Sequence, residues 1–88
     1  GWSDVGTWAS LISEGHGDGS NFTRGDVLNI DTEGSVLVGE GVMVAAIGLR
    51  NVAIVATKDA VLAMPLNRSQ DVRQVVAALA EKGREELR

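Results

Sequence analysis

The 88-residue sequence predicts a mainly β domain closed by a C-terminal α-helix. Three observations lead there. Between Asp26 and Met64, short β-branched runs alternate with turn signals, which is the pattern of strands at close spacing. Val72, Val75, Val76 and Leu79 then recur at i, i+3, i+4 and i+7, one face of a helix. The segments between the β runs are too short to hold crossover helices, so the strands are joined either as meander hairpins or as successive sides of a short β-coil.

Trp2, Val5, Trp8, Leu11 and Ile12 are spaced by three to four and predict a short helix beginning near Thr7, within a first segment 1–12. Residues 13–25, SEGHGDGSNFTRG, contain four Gly and one large apolar side chain and read as a flexible linker. The β-rich domain then occupies 26–88. Its five expected strands are VLNID, SVLVG, VMVAAIG, VAIVA and AVLAM, parted by Gly34, Gly39-Glu40-Gly41, Gly48 to Asn51 and Lys58-Asp59. Pro65 stops the last strand, and Asn67 with Gln70 three residues on resembles a capping box. Asp71 in the first turn and Lys82-Gly83-Arg84 at the end complete the helix signature. Val42 to Ile47 and Val52 to Ala56 are nearly unbroken apolar runs, of the kind found in strands covered on both faces. One amphipathic helix covers one face, so the strands are expected to be short of cover.

Composition narrows the function. Eighty-eight residues suffice for one small domain and are too few for a nucleotide-binding α/β domain with anything added. The chain has 12 acidic and 8 basic residues, a net charge of -4 and no basic stripe, which argues against nucleic acid as a partner. Cysteine is absent, so neither a disulfide framework nor a thiolate metal site is available. No apolar stretch reaches the length of a membrane span, and a cytoplasmic location is expected. The chain opens on Gly1-Trp2-Ser3 without an initiator Met, so a fragment of a longer protein is also expected.

Asp4 is the one residue whose setting suggests chemistry. It lies in W-S-D-V-G-T-W, flanked by bulky anchors and followed closely by Gly6. A carboxylate held rigidly at such a turn suits a hard cation such as Mg²⁺, while the simpler role is that of a helix N-cap. One carboxylate is not a metal site. His16, the single histidine, lies in the Gly-rich linker without a second ligand or a nucleophile and reads as a solvated loop residue. That also disfavours a small β-coil acyltransferase, which needs a histidine base. Gly15-His16-Gly17-Asp18-Gly19 lacks the Lys and the strand-to-helix setting of a phosphate loop, and Asp18 to Asn21 lacks the downstream Glu of a calcium loop. Asn21-Phe22-Thr23 and Arg24-Gly25-Asp26 match a glycosylation acceptor and an adhesion tripeptide, patterns that occur by chance. No nucleophile, base or cofactor loop is found.

Taken as strings, five segments are similar to one family, in order and over nearly the whole chain. Gly1-Trp2-Ser3-Asp4-Val5-Gly6-Thr7-Trp8 resembles the segment that ends the nucleotidyltransferase domain of mannose-1-phosphate guanylyltransferases. Arg24-Gly25-Asp26-Val27, Val44 to Leu49 with Asn51 to Val55, Thr57 to Leu62, and Arg68-Ser69-Gln70-Asp71-Val72 resemble the family's later motifs. The resemblance implies a catalytic domain that transfers GMP from GTP to mannose 1-phosphate with Mg²⁺ and releases pyrophosphate. It implies a tail related to a left-handed parallel β-helix, which helps in packing and in dimer contacts. By the same resemblance Asp4 corresponds to the second metal-binding carboxylate and Gly6-Thr7 to the turn that holds it. The family's GTP loop, first metal carboxylate and sugar-binding residues would lie upstream of Gly1. The 88 residues are therefore expected to be inactive alone, with no catalytic residue and no cofactor of their own. The expected partners are the missing N-terminal catalytic domain and a second copy in a homodimer; the alternative is an independent β-rich oligomerisation or interaction module. The ending from Lys82 to Arg88 resembles the join before the phosphomannose isomerase domain of bifunctional members.

Overall fold

The computed structural model describes residues 2–13 and 20–83. A 3₁₀ turn (Trp2–Asp4) leads into α1 (Val5–Ser13), followed by β1 (Phe22–Ile30), β2 (Val36–Ile47), β3 (Val52–Thr57), β4 (Val61–Pro65), a second 3₁₀ turn (Leu66–Asp71) and α2 (Val72–Glu81). The sheet order is β1-β2-β3-β4; the first three strands run parallel, and β4 returns antiparallel to β3.

Parallel neighbours joined by so few residues are possible only if the strands themselves turn back. β1 pairs with β2 in two stretches, residues 22–25 with 36–39 and residues 27–30 with 44–47, and the register breaks between them. Each of these strands therefore forms two sides of a coil. Glu33 and Arg50, bridged in parallel, mark the third. The architecture is a short β-coil capped by a C-terminal helix, and hairpin geometry is confined to β3 and β4.

The corners explain which residues the coil requires. Val27 pairs with Val44, Glu33 with Arg50 and Val36 with Ala53, each 17 positions on. Asp31 (φ 51) is matched at the same interval by Gly48 (φ 67), and Gly34 (φ 63) by Asn51 (φ 56), so left-handed backbone recurs at the same two corner positions. Buried hydroxyls join the turns. Ser35 Oγ accepts the Val52 N–H at 3.2 Å and donates to the Glu33 carbonyl at 3.1 Å. Thr32 Oγ1 accepts the Leu49 N–H at 3.4 Å and donates to the Ile30 carbonyl at 3.1 Å. Above them, the Asn21 side chain donates to the Thr32 carbonyl at 2.8 Å and accepts the Ser35 N–H at 3.0 Å. The N–H groups of Ser35, Leu49 and Val52 thus find side-chain acceptors, while the Ile30 and Glu33 carbonyls also accept the Gly48 and Asn51 N–H groups.

The core lies on the outer face of the first side of the coil. Val36 and Val38 on β2, Ala53 and Val55 on β3 and Leu62 on β4 share one face through their register. Trp2, Val5 and Trp8 pack on them, with Val72 at the margin. Phe22, opposite Val36, stacks on Trp8 with ring centroids 5.3 Å apart. The opposite face of this side, from which Leu37 projects, looks into the coil, where the buried side chains are small: Val44, Ala46 and Ala56.

Several expectations are corrected by this arrangement. SVLVG and VMVAAIG are one strand, β2, so four strands replace five; the register break absorbs the extra residues around Glu40-Gly41. The β region starts at Phe22 rather than Asp26, because Phe22 stacks on Trp8 and pairs with Val36, so residues 22–25 of the expected linker are strand. Residues 14–19 of that linker, His16 among them, lie outside the described residues. Helix α1 starts at Val5, ahead of Thr7. The Asn67/Gln70 capping box does not form, since that stretch is a 3₁₀ turn whose cap, Pro65, makes no side-chain bond. Asp71 instead accepts from Arg68 Nε at 2.6 Å and from Gln74 Nε2 at 3.2 Å. The cover expected on both faces of two runs is incomplete: in residues 52–56 Ala53, Val55 and Ala56 are buried and Val52 and Ile54 half-buried, and residues 43–47 alternate, with Val44 and Ala46 buried while Met43 and Ile47 are 58% and 69% exposed; residues 36–39 are all buried. The main cover on the sheet is α1 rather than α2, of which Val72 is buried and Val75 is exposed.

Two stability outcomes are expected. A Cβ on Gly25 (φ +81) would sit 1.9 Å from the Gly39 carbonyl oxygen, whereas one on Gly48 (φ +67) would meet nothing within 4 Å. Gly48→Ala should then cost only the left-handed backbone term of about 1–2 kcal/mol, and Gly25→Ala clearly more, in urea melts of the two variants. Trp8→Ala should cost about 3–5 kcal/mol and expose the sheet, read as a lowered melting temperature with increased binding of a hydrophobic dye.

Candidate functional site: the Asp4 turn

Asp4 ends the N-terminal 3₁₀ turn and immediately precedes α1, so its carboxylate stands at the positive end of a helix. The side chain is exposed, but the backbone around it is not free to wander. Trp2, two residues before, is 5% exposed, and Val5, the next residue, is fully buried. Both belong to the cluster formed with Val36, Val38, Ala53, Val55 and Leu62. An exposed carboxylate is thus presented from a turn anchored on both sides by apolar burial. The position serves the helix-cap role and the ligand role equally well, since both need an oxygen fixed at a helix start.

The donor chemistry fits a hard cation, which takes carboxylate oxygen. Asp4 supplies one such donor. No group of three His, Cys, Asp or Glu that could hold a metal ion is found among the described residues, so further ligands would have to come from elsewhere. His16 lies outside the described residues. The Trp2 indole N–H is buried with no hydrogen-bond partner among the described residues. Leaving such a donor unmade costs about 1–3 kcal/mol.

Elsewhere the surface is poor in chemistry. An open cleft of about 400 Å³ between α1 and the second 3₁₀ turn is lined by Gly6, Ser10, Asn51, Asn67, Ser69 and Gln70 among others, with no charged side chain among the described residues of its lining. It offers hydrogen bonds, including those of the Ser10 and Ser69 hydroxyls, but no titratable base among the described residues. Arg24-Gly25-Asp26 is a corner of the coil, with Gly25 required by its closeness to Gly39. No helix of the described residues is long and apolar enough to cross a membrane. Reading the sequence alone missed Asn21, Thr32 and Ser35, whose side chains close the coil. The available signal was the match of 31–35, DTEGS, with 48–52, GLRNV, which places turn residues at equal intervals.

The chain is similar to known proteins in sequence and fold. The chain is 43% identical to the alginate biosynthesis protein AlgA of Pseudomonas syringae pv. tomato, over 98% of its own length and 18% of that protein's. It is 43% identical to the mannose-1-phosphate guanylyltransferase of Escherichia coli, over 100% of its length and 19% of the relative's. The chain thus spans about a fifth of the length of these curated relatives. In three dimensions it resembles the crystal structure of a mannose-1-phosphate geranyltransferase from Thermus thermophilus, with a TM-score of 0.68 and 27% identity, over 88% of this chain and 24% of that one. Residues 25–79 match the domain described as MannoseP isomerase/GMP-like beta-helix. With most of its length inside that match and its parallel strands wound as the description requires, the chain belongs to the MannoseP isomerase/GMP-like beta-helix domain family.

Proposed function

We propose that the chain is the C-terminal structural part of a cytoplasmic mannose-1-phosphate guanylyltransferase, which converts GTP and mannose 1-phosphate to GDP-mannose and pyrophosphate, and that it is not catalytic alone. The observation that carries this reading is the 43% identity, over the whole of this chain, to the Escherichia coli relative of that name. In the whole enzyme Asp4 would supply one oxygen to Mg²⁺, whose contribution there is to neutralise phosphate charge. The other groups that bind and position GTP and the sugar phosphate belong to the missing N-terminal catalytic domain. Positioning by several groups at once is what such a transfer needs, and a lone carboxylate positions nothing. The purified 88 residues, incubated with GTP, mannose 1-phosphate and Mg²⁺, are expected to yield no GDP-mannose above a host-enzyme control in a chromatographic assay. Measurable product would overturn the reading.

Association with a second copy is part of the same proposal. Leu28 and Ile30 on β1 lie beside Ala45 and Ile47 on β2 through their register, and Met43 continues that face. Leu28 and Ile30 are each 48% exposed, so the stripe is apolar and open. A contiguous apolar face of this kind marks interaction surfaces more often than plain solvent-facing surface. The chain is expected to sediment as a homodimer at micromolar concentration, and Ile47→Lys to return it to the 9.2 kDa monomer without loss of secondary structure. A wild-type chain that stays monomeric would remove dimerisation from the reading.

A further inference from the structure

We infer that the β-coil acts as the positioning element for the Asp4 carboxylate, with Trp2 and Val5 as positioning residues that carry its rigidity to the turn. The inference rests on the reading of Asp4 as a metal ligand and adds to it what holds the ligand still.

Three observations meet. First, the two anchors that bracket Asp4 are both buried, and the cluster they share includes strand residues more than thirty positions away: Val36, Val38, Ala53, Val55 and Leu62. Trp8 and Val72 belong to the same cluster, and further apolar side chains, Phe22, Leu66 and Leu79 among them, pack against it. Second, the support is a stiff one. Parallel strands locked by buried hydroxyls at the corners leave the outer face little freedom to shift, so the position of the anchors is inherited from the coil. Third, Trp2 keeps an indole N–H buried with no partner among the described residues, where Phe would bring a similar apolar ring without that penalty. The Trp2 ring is held in the core by its apolar burial in spite of that unmet donor. Metal affinity depends on such outer supports almost as it does on the ligands themselves.

The test uses the full-length protein and Mn²⁺ as the probe, with affinity read from the electron paramagnetic resonance of free Mn²⁺ in the absence of turnover. Val55→Ala trims the face that holds the anchors, and Val44→Ala trims a buried residue of the coil that lies outside the anchor cluster. Both should lower the melting temperature. Val55→Ala is expected to raise the apparent Mn²⁺ dissociation constant about tenfold, while Val44→Ala leaves it near that of the wild type. Val72→Ala, on a helix where Ala is well tolerated, provides a second trimmed anchor contact if Val55→Ala does not fold, and should shift affinity in the same direction. Equal shifts in the trimmed-face and Val44 variants would overturn the inference, since general loosening would then explain them. So would unchanged affinity in the trimmed-face variants when Asp4→Asn weakens binding, an outcome that leaves Asp4 a ligand but not one held by the coil. If Asp4→Asn itself leaves Mn²⁺ binding unchanged, the ligand reading falls and this inference with it.

Discussion

A parallel strand pair joined by only a few residues obliges the chain to return by turning corners, and the rest of this structure follows from that obligation. Corners need left-handed backbone at fixed places, which Asp31, Gly34, Gly48 and Asn51 supply. They also bring backbones into near contact, as where Gly25 lies against the carbonyl of Gly39. Winding the strands this tightly leaves an interior wide enough only for small side chains, and Leu37 is the largest fully buried one. Such a core is thin, so stability has to come from the outer face as well. There Trp2, Val5 and Trp8 contribute the large apolar surfaces that the coil cannot house inside.

How much of this the sequence disclosed depended on whether the signal was local. Turn residues, the limits of β3 and β4 to within one residue and the apolar stripe ending in Leu79 could be read directly, because each is set by residues within a few positions. The direction of pairing could not. Short connections are compatible with a hairpin or a coil, and the repeat that would have decided between them is masked: Phe22 pairs with Val36 fourteen positions on, while Val27 pairs with Val44 seventeen on. The apolar run from Val42 to Ile47 was equally ambiguous, since hydrophobicity alone does not say that Met43 and Ile47 face outward. Which helix covers the sheet was misread for a related reason. The spacing of Val72, Val75, Val76 and Leu79 is a cleaner stripe than that of the N-terminal segment, yet Trp2, Val5 and Trp8 are all buried in the core while Val72 alone of that stripe is.

The candidate site was legible in its position and not in its support. Asp4 could be placed before a helix and between bulky neighbours from the string W-S-D-V-G-T-W. That these neighbours are fastened to strands far along the chain is a long-range fact, visible only once β2, β3 and β4 share a face. The N-terminal segment and the coil thus share one core.

The two ends of the coil are closed differently, and this bears on assembly in bulk. At the β1 end, Asn21 fills with its amide the hydrogen-bonding positions that an earlier turn would take, and Arg24 and Asp26 place charge along the outermost strand. At the far end, β4 reverses direction against β3 and finishes in Pro65, so a further parallel turn finds no matching template. Stacked parallel strands are the geometry from which fibrils grow. A coil of this kind, stoppered at both ends, can hold that geometry in a concentrated solution without acting as a seed.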